Sequence, residues 1–278
     1  MLNNYNTPSK TLGPRAAQLL TELHEQRRTT FTLRDVKAIT NLSASSARNL
    51  VHKARQRGLV TRLKPGLYSL VPFELGRATE HVESPYLIAR EVAGNASYFL
   101  SHGTALELHR MVTQPNFTIH VSCTRRIRPQ TIGGYEFRFI LLTETQMFGM
   151  AKHWVTKEQH VMISDMERTI IDSLRRPDLA GGIADIAKGL WMTRDSLNAK
   201  RLIDYALRLE VGAVSRRLGY LLERYGMAGE STLQPLRNKL SATYQRLDPV
   251  LPQEGKFLSR WRLRLNVSPE ELDAVRLG

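Results

Sequence analysis

Ser45, Arg48, Asn49 and His52 follow one another at three- and four-residue intervals, with Ser46, Lys53 and Arg55 beside them. On a helix this spacing makes a face of short polar side chains edged by cations. Its chemistry is hydrogen bonding and charge neutralisation rather than bond making. Short polar groups reach base edges in a major groove, while Arg and Lys sit on phosphates. There is no acidic residue from Thr40 to Pro72. An ordinary solvated helix mixes both signs, and this one does not. The expectation is that Ser45, Arg48, Asn49 and His52 face bases. Lys53, Arg55, Arg62 and Lys64 face phosphates, and Ser46 belongs to the same DNA-contacting set. The competing reading is a basic face that is merely solvated, or a winged helix that binds protein.

No catalytic constellation of comparable quality is present. Glu167, Arg168 and Asp172 come nearest, because two carboxylates beside a base could hold Mg²⁺ or exchange protons. A structural role explains them better. Ser164 and Glu167 fit a capping box, and Arg168 with Asp172 fits an i,i+4 pair. The eight histidines show no H-x-x-x-H or H-E-x-x-H spacing, and no Walker A or Rossmann glycine pattern occurs. The single cysteine, Cys123, alternates inward on an expected strand and reads as a buried structural thiol. No catalytic residue, metal ligand or cofactor is expected. Two further basic groups, Arg125, Arg126 and Arg128, then Arg260, Arg262 and Arg264, are candidates for a second, non-specific DNA-contacting surface. Exposed arginines on loops and strands otherwise need no ligand.

The elements that must position these side chains follow from capping and periodicity. Ser43 is a helix N-cap and Gly58 a C-terminal stop, with Ala47, Leu50, Val51 and Ala54 on the inward face. Before them, residues 14–27 form a helix with Pro14 at its start and Ala16, Leu19, Leu20 and Leu23 on one stripe. Phe31 lies in an extended piece, and Thr32 caps a second helix over 33–39. After Gly58, two short strands flank a Pro65–Gly66 turn. Three helices and a ribbon in this order make a winged helix-turn-helix. Residues 1–13 read as a mobile arm.

Composition agrees with that placement. The chain has 278 residues and a net charge of +14. Residues 1–72 carry 12 Lys+Arg against 3 Asp+Glu, whereas the remaining 206 carry 28 against 23. The surplus sits in the first quarter and favours a polyanion as partner. One cysteine excludes an internal disulfide and fits a reducing cytoplasm, and no apolar run approaches membrane-spanning length. A soluble, cytoplasmic protein with no membrane partner is expected.

Residues 73–163 read as mixed helix and strand. Pro85–Ala93 and Thr104–Leu108 are helical; Ser97–Leu100, Asn116–Cys123, Tyr135–Thr143, Met147–Val155 and Gln159–Ile163 are extended. In Asn116–Cys123 the alternation predicts a half-buried strand, with Phe117, Ile119, Val121 and Cys123 inward and Thr118, His120 and Ser122 outward. Residues 164–278 read as mainly helical, over about 165–175, 183–194, 198–210, 213–225, 232–240 and 269–276. Within them, Phe257–Val267 reads as one basic strand with Trp261 and Leu263 on one face and Arg260, Arg262 and Arg264 on the other. The expected fold class is α+β: a winged helix-turn-helix at 1–72, then a mixed α/β domain at 73–278 ending in a helical region.

Four stretches beyond the winged helix carry a resemblance. They are Tyr98–His109, Val161–Asp172 running on through Arg176–Ile183, Arg216–Glu223, and Trp261–Asn266. With the N-terminal domain they resemble the AbiEi-like antitoxins of bacterial abortive-infection, type IV toxin–antitoxin systems. The resemblance implies a phage-defence regulator whose winged helix represses its own operon by binding repeats in promoter double-stranded DNA. It implies a C-terminal domain that counters a nucleotidyltransferase-like toxin without a stable complex. Two other readings stay open: a metal-dependent nuclease or nucleotide-modifying enzyme using Glu167 and Asp172, and an interaction protein that binds the toxin directly.

Overall fold

The structure is a computed structural model that describes residues 10–81, 83–114 and 117–276. Residues 1–9 of the expected arm, and Asn116 at the head of an expected strand, lie outside the described residues. The chain divides into two compact units. The first runs to Gly94 and takes in the short segments 131–135 and 154–160; the second holds 95–130, 136–153 and the chain from Val161 onward.

The first unit begins α1 (Pro14–Glu25), β1 (Thr30–Thr32), α2 (Leu33–Thr40), α3 (Ala44–Gln56), β2 (Val60–Lys64), β3 (Leu67–Leu70) and α4 (Pro85–Ala93). Thr32 caps α2 in a reciprocal box: its hydroxyl accepts from the Asp35 N–H at 3.4 Å, and Asp35 accepts from the Thr32 N–H at 2.6 Å. Asn41 ends α2 at φ 52°, a left-handed conformation that Asn tolerates because its side chain is short and polar. The Ser43 hydroxyl then accepts from the Ser46 N–H at 3.2 Å and starts α3. At the other end Leu59 N–H donates to the Ala54 carbonyl and Gly58 N–H to that of Arg55, both at 3.0 Å, the Schellman arrangement. Gly58 sits at φ 65°, and a Cβ there would lie 2.8 Å from Thr79 Cγ2. Leu19, Leu23, Phe31, Val36, Ala47, Val51 and Leu59 are buried together. Each large apolar side chain in such a core contributes about 1.5–3 kcal/mol relative to exposure. The strands form a sheet in the order β1-β3-β2, which carries the wing.

The remaining elements are β4 (Tyr98–Leu100), α5 (His102–Leu108), β5 (Thr118–Cys123), β6 (Gln130–Ile132), β7 (Tyr135–Leu141), β8 (Met150–Trp154), β9 (His160–Ser164), α6 (Met166–Arg175), α7 (Ile183–Met192), α8 (Ala199–Leu209), α9 (Gly212–Arg224), α10 (Glu230–Asn238), β10 (Gln245–Arg246), β11 (Lys256–Leu258), β12 (Leu263–Leu265) and α11 (Pro269–Ala274). A six-stranded sheet runs in the order β6-β7-β5-β4-β9-β8, and a three-stranded one β10-β12-β11. The core of the second unit gathers α6 to α9 and includes the fully buried Trp261. Gly219 in α9 makes room for that indole: a Cβ would stand 2.0 Å from Trp261 Cζ3. The indole N–H donates to Glu223 at 2.6 Å. The α+β class read from the sequence is the one observed.

Three local expectations are corrected. β5 is central in its sheet, not half-buried: His120 and Ser122 are buried alongside Ile119, Val121 and Cys123, while Phe117 is 74% exposed. Neighbouring elements meet its polar groups: the Ser122 hydroxyl donates to the Ser101 hydroxyl at 2.9 Å, and the backbone N–H of His120 donates to the Thr104 hydroxyl at 2.9 Å. Second, Ser164 does not cap α6. Asp165 does, accepting from the Arg168 N–H at 2.7 Å, while the Ser164 hydroxyl bonds Thr169 within the core. Third, 257–267 is not one strand but a hairpin, β11 and β12, turning through 259–262 with Arg262 at φ 51°.

Candidate nucleic-acid interface

Helix α3 buries Ala47, Val51 and Ala54 and so turns Ser45, Ser46, Arg48, Asn49, His52, Lys53 and Arg55 to solvent. Of the wing residues, Arg62 is exposed and Lys64 half-buried. Arg62 opposes Tyr68 in the hairpin, and the register shifts between Arg62 and Lys64, just before the Pro65–Gly66 turn. A bulge of this kind re-aims the side chains beside it.

Between α3 and the wing lies a concavity of about 430 Å³, lined by Arg48, Asn49, His52, Arg55, Arg62 and Tyr68 among others. The structure thus brings five residues expected to contact DNA to one concave surface. Among the described residues, Arg48, Asn49, His52, Lys53, Arg55 and Arg62 have no side-chain hydrogen-bond or ion-pair partner. Ser45 and Ser46 differ: both hydroxyls lie 3.0 Å from the Ser43 hydroxyl, at the cap. Tyr68 was missed from sequence. It is half-buried, stacks on Phe31 with ring centroids 5.6 Å apart, and forms one wall of the concavity. The alternation in β3, with Leu67 and Ser69 buried, is the signal that turns it outward.

Helix α2 braces this face. Arg28 pairs with Asp35 at 2.9 Å, and α1 reaches the end of α2 through Gln18, which donates to the Ile39 carbonyl at 3.0 Å. Burial would raise Asp35, but hydrogen bonds from Arg28 and Thr32 outweigh it and hold the carboxyl below the ordinary range.

The two other basic groups have different surroundings. Arg125, Arg126 and Arg128 are exposed on the loop after β5. Arg260 is ion-paired with Glu223 and Glu230, whereas Arg262 and Arg264 lie against the rings of Tyr244 and Phe257. Cys123 is buried, its thiol pushed up by burial and bonded to the Arg125 carbonyl at 3.0 Å.

Glu167 and Asp172 are placed apart. Five residues on a helix is a turn of about 140°. Glu167 accepts from the Asn198 N–H at 2.9 Å, anchoring the start of α8. Asp172 is buried against Arg168, Nε to Oδ1 2.9 Å. The guanidinium lies 4.1 Å from the Phe148 ring centre, with Arg208 against the same ring at 4.0 Å. This is the expected i,i+4 pair, and it lies in the core. Among the described residues no three His, Cys, Asp or Glu side chains converge, and no helix is long and apolar enough to cross a membrane.

The family model described as "Transcriptional regulator, AbiEi antitoxin" matches residues 18–71, the stretch from α1 to the end of the wing. The resemblance drawn from the sequence is borne out over that domain. No curated protein sequence matches the chain. Among solved structures, the crystal structure of the RV2827C protein from Mycobacterium tuberculosis is similar. It shares 17% identity at a TM-score of 0.69, covering 99% of this chain and 98% of that one. At that identity the likeness concerns the fold.

Proposed function

We propose that this chain is a sequence-specific DNA-binding repressor that autoregulates a toxin–antitoxin operon and serves as its antitoxin. The observation that carries the DNA-binding part is the α3–wing face. Six cationic or hydrogen-bonding side chains are held there without a partner among the described residues, within a stretch that has no acidic residue. Free donors of this kind are an anion site in waiting, because each phosphate they meet releases condensed counterions. Helix α3 enters the major groove; Arg48, Asn49 and His52 read base edges, and Lys53, Arg55, Arg62 and Lys64 neutralise phosphates. The antitoxin role is supported by the family of residues 18–71. On the family resemblance, its functional partner is a nucleotidyltransferase-like toxin that it counters without a stable complex, in the cytoplasm and in phage defence.

The test is binding of the full chain to its own upstream region, by anisotropy, in competition with unrelated duplex. Preference for the upstream region supports repression. Equal affinity for both would remove the sequence-specific part of the proposal. Growth rescue of cells expressing the adjacent toxin gene tests the antitoxin role separately.

A further inference from the structure

The hairpin β11–β12 and strand β10 present an outward row that the DNA-binding reading does not use. Arg264 faces Arg246 on one neighbouring strand and Phe257 on the other. The opposite face of β12 sends Leu263 into the core. Phe257 is 62% exposed although it is large and apolar, and Tyr244 beside it is exposed too, ring centroids 5.0 Å apart and nearly perpendicular. The guanidinium of Arg264 lies 5.2 Å from the Phe257 ring centre, and that of Arg262 lies 5.5 Å from that of Tyr244. Tyr244 is held in place, donating to the Ser259 hydroxyl at 3.1 Å.

The charge around this row is mainly positive, although Arg260 is paired with Glu223 and Glu230. Residues 244–266 contain five Lys+Arg and two acidic residues, Asp248 and Glu254. Asp248 is buried, with both oxygens taken by the N–H groups of Ile183 and Val250. A protein partner would ordinarily meet mixed charge. Exposed rings beside the guanidiniums of Arg246, Arg262 and Arg264, which meet neutral oxygens and no carboxylate among the described residues, instead suit a polyanion that also offers flat faces for stacking. Duplex DNA hides its bases, so the ligand class that uses both features is a single strand.

We propose that the β10–β12–β11 face binds single-stranded nucleic acid, with Phe257 and Tyr244 as stacking platforms and Arg246, Arg262 and Arg264 along the phosphates. This site lies outside the winged helix, so it stands or falls independently of duplex recognition.

The experiment is fluorescence anisotropy of the full chain with labelled dT12, rU12 and the upstream duplex, at fixed moderate salt. The proteins are wild type, Phe257→Ser, Phe257→Trp, Arg264→Gln and Arg62→Gln. Phe257 is exposed, so its variants are expected to fold, and circular dichroism checks this. Phe257→Ser weakens binding of at least one single strand about tenfold and leaves duplex affinity within twofold; Phe257→Trp retains it. Arg264→Gln weakens single strands severalfold, whereas Arg62→Gln affects chiefly the duplex. Preference between dT12 and rU12 identifies the strand as DNA or RNA. The proposal is overturned if neither single strand binds, if Phe257→Ser binds both as wild type does, or if it weakens duplex equally. A change in oligomeric state with unaltered single-strand affinity would also overturn it, marking the patch as a protein contact.

Discussion

Arginine does opposite things in the two units. On α3 and the wing, Arg48, Arg55 and Arg62 are exposed and have no partner among the described residues. In the second unit Arg168, Arg216 and Arg217 are buried and occupied. Arg217 donates to the carbonyls of Leu174 at 2.7 Å and Leu247 at 2.8 Å, and Arg216 to those of Ser241 and Thr243, both at 3.1 Å. One set ties segments together through backbone oxygens; the other has no partner among the described residues, and the proposed function assigns it to DNA. Net charge therefore locates a binding face only after the occupied cations have been subtracted.

The sharpest way to break this comparison is to remove one arginine of each kind. Arg217→Met should strand at least two buried carbonyls and cost about 3 kcal/mol or more, seen as a lower urea midpoint. Duplex affinity per folded molecule should not change. If Arg217→Met is neutral, the buried arginines are not structural ties.

A pH titration separates the units next. Burial lowers both His102 and His120 to about 3, with nearby arginines adding to the effect at His102 and His102 itself at His120. Their unfolded value is about 6.5, so the unfolded chain binds more protons below that pH. The stability they contribute is present above pH 6.5 and lost as pH falls from there towards 3. The slope is up to about 1.4 kcal/mol per pH unit for each histidine. His102→Gln should flatten it by about one proton in urea melts at pH 4.5–7. An unchanged slope would contradict the burial of His102.

Smaller effects sharpen the picture of the α3–wing face. Asn49→Ala should cost about 1–3 kcal/mol on the preferred site and relax preference at one base pair, with little change on unrelated duplex. Lys64→Gln should weaken all duplexes alike and reduce the salt slope by about 1. If the two variants behave alike across sequence and salt, the division into base and phosphate contacts is wrong.

Much of the winged helix was legible because its signals are local. Thr32, Ser43 and Gly58 are caps whose chemistry acts within a few residues, and the apolar stripe from Ala47 to Ala54 has one period. The C-terminal errors share a cause: the deciding partner is distant in sequence. His120 and Ser122 read as outward because they are polar, yet Thr104 and Ser101 satisfy that strand from another element. Ser164 and Asp165 are equally good caps by type, and only the pairing of β9 removes Ser164 from that role. The alternation in 257–267 survives a reversal of direction, so a hairpin and a strand look the same. Of the site, the α3 residues were visible by spacing. Tyr68 was not, because its contribution depends on the wing folding back beside α3.

The most direct test of the central claim is a salt titration of upstream-duplex binding by the full chain and by a variant carrying Arg55→Ala and Arg62→Ala. The account predicts binding at low ionic strength, a linear fall of log K with log salt, and a slope reduced by about 2 in the variant. No binding at low salt, or an unchanged slope in the variant, would contradict it.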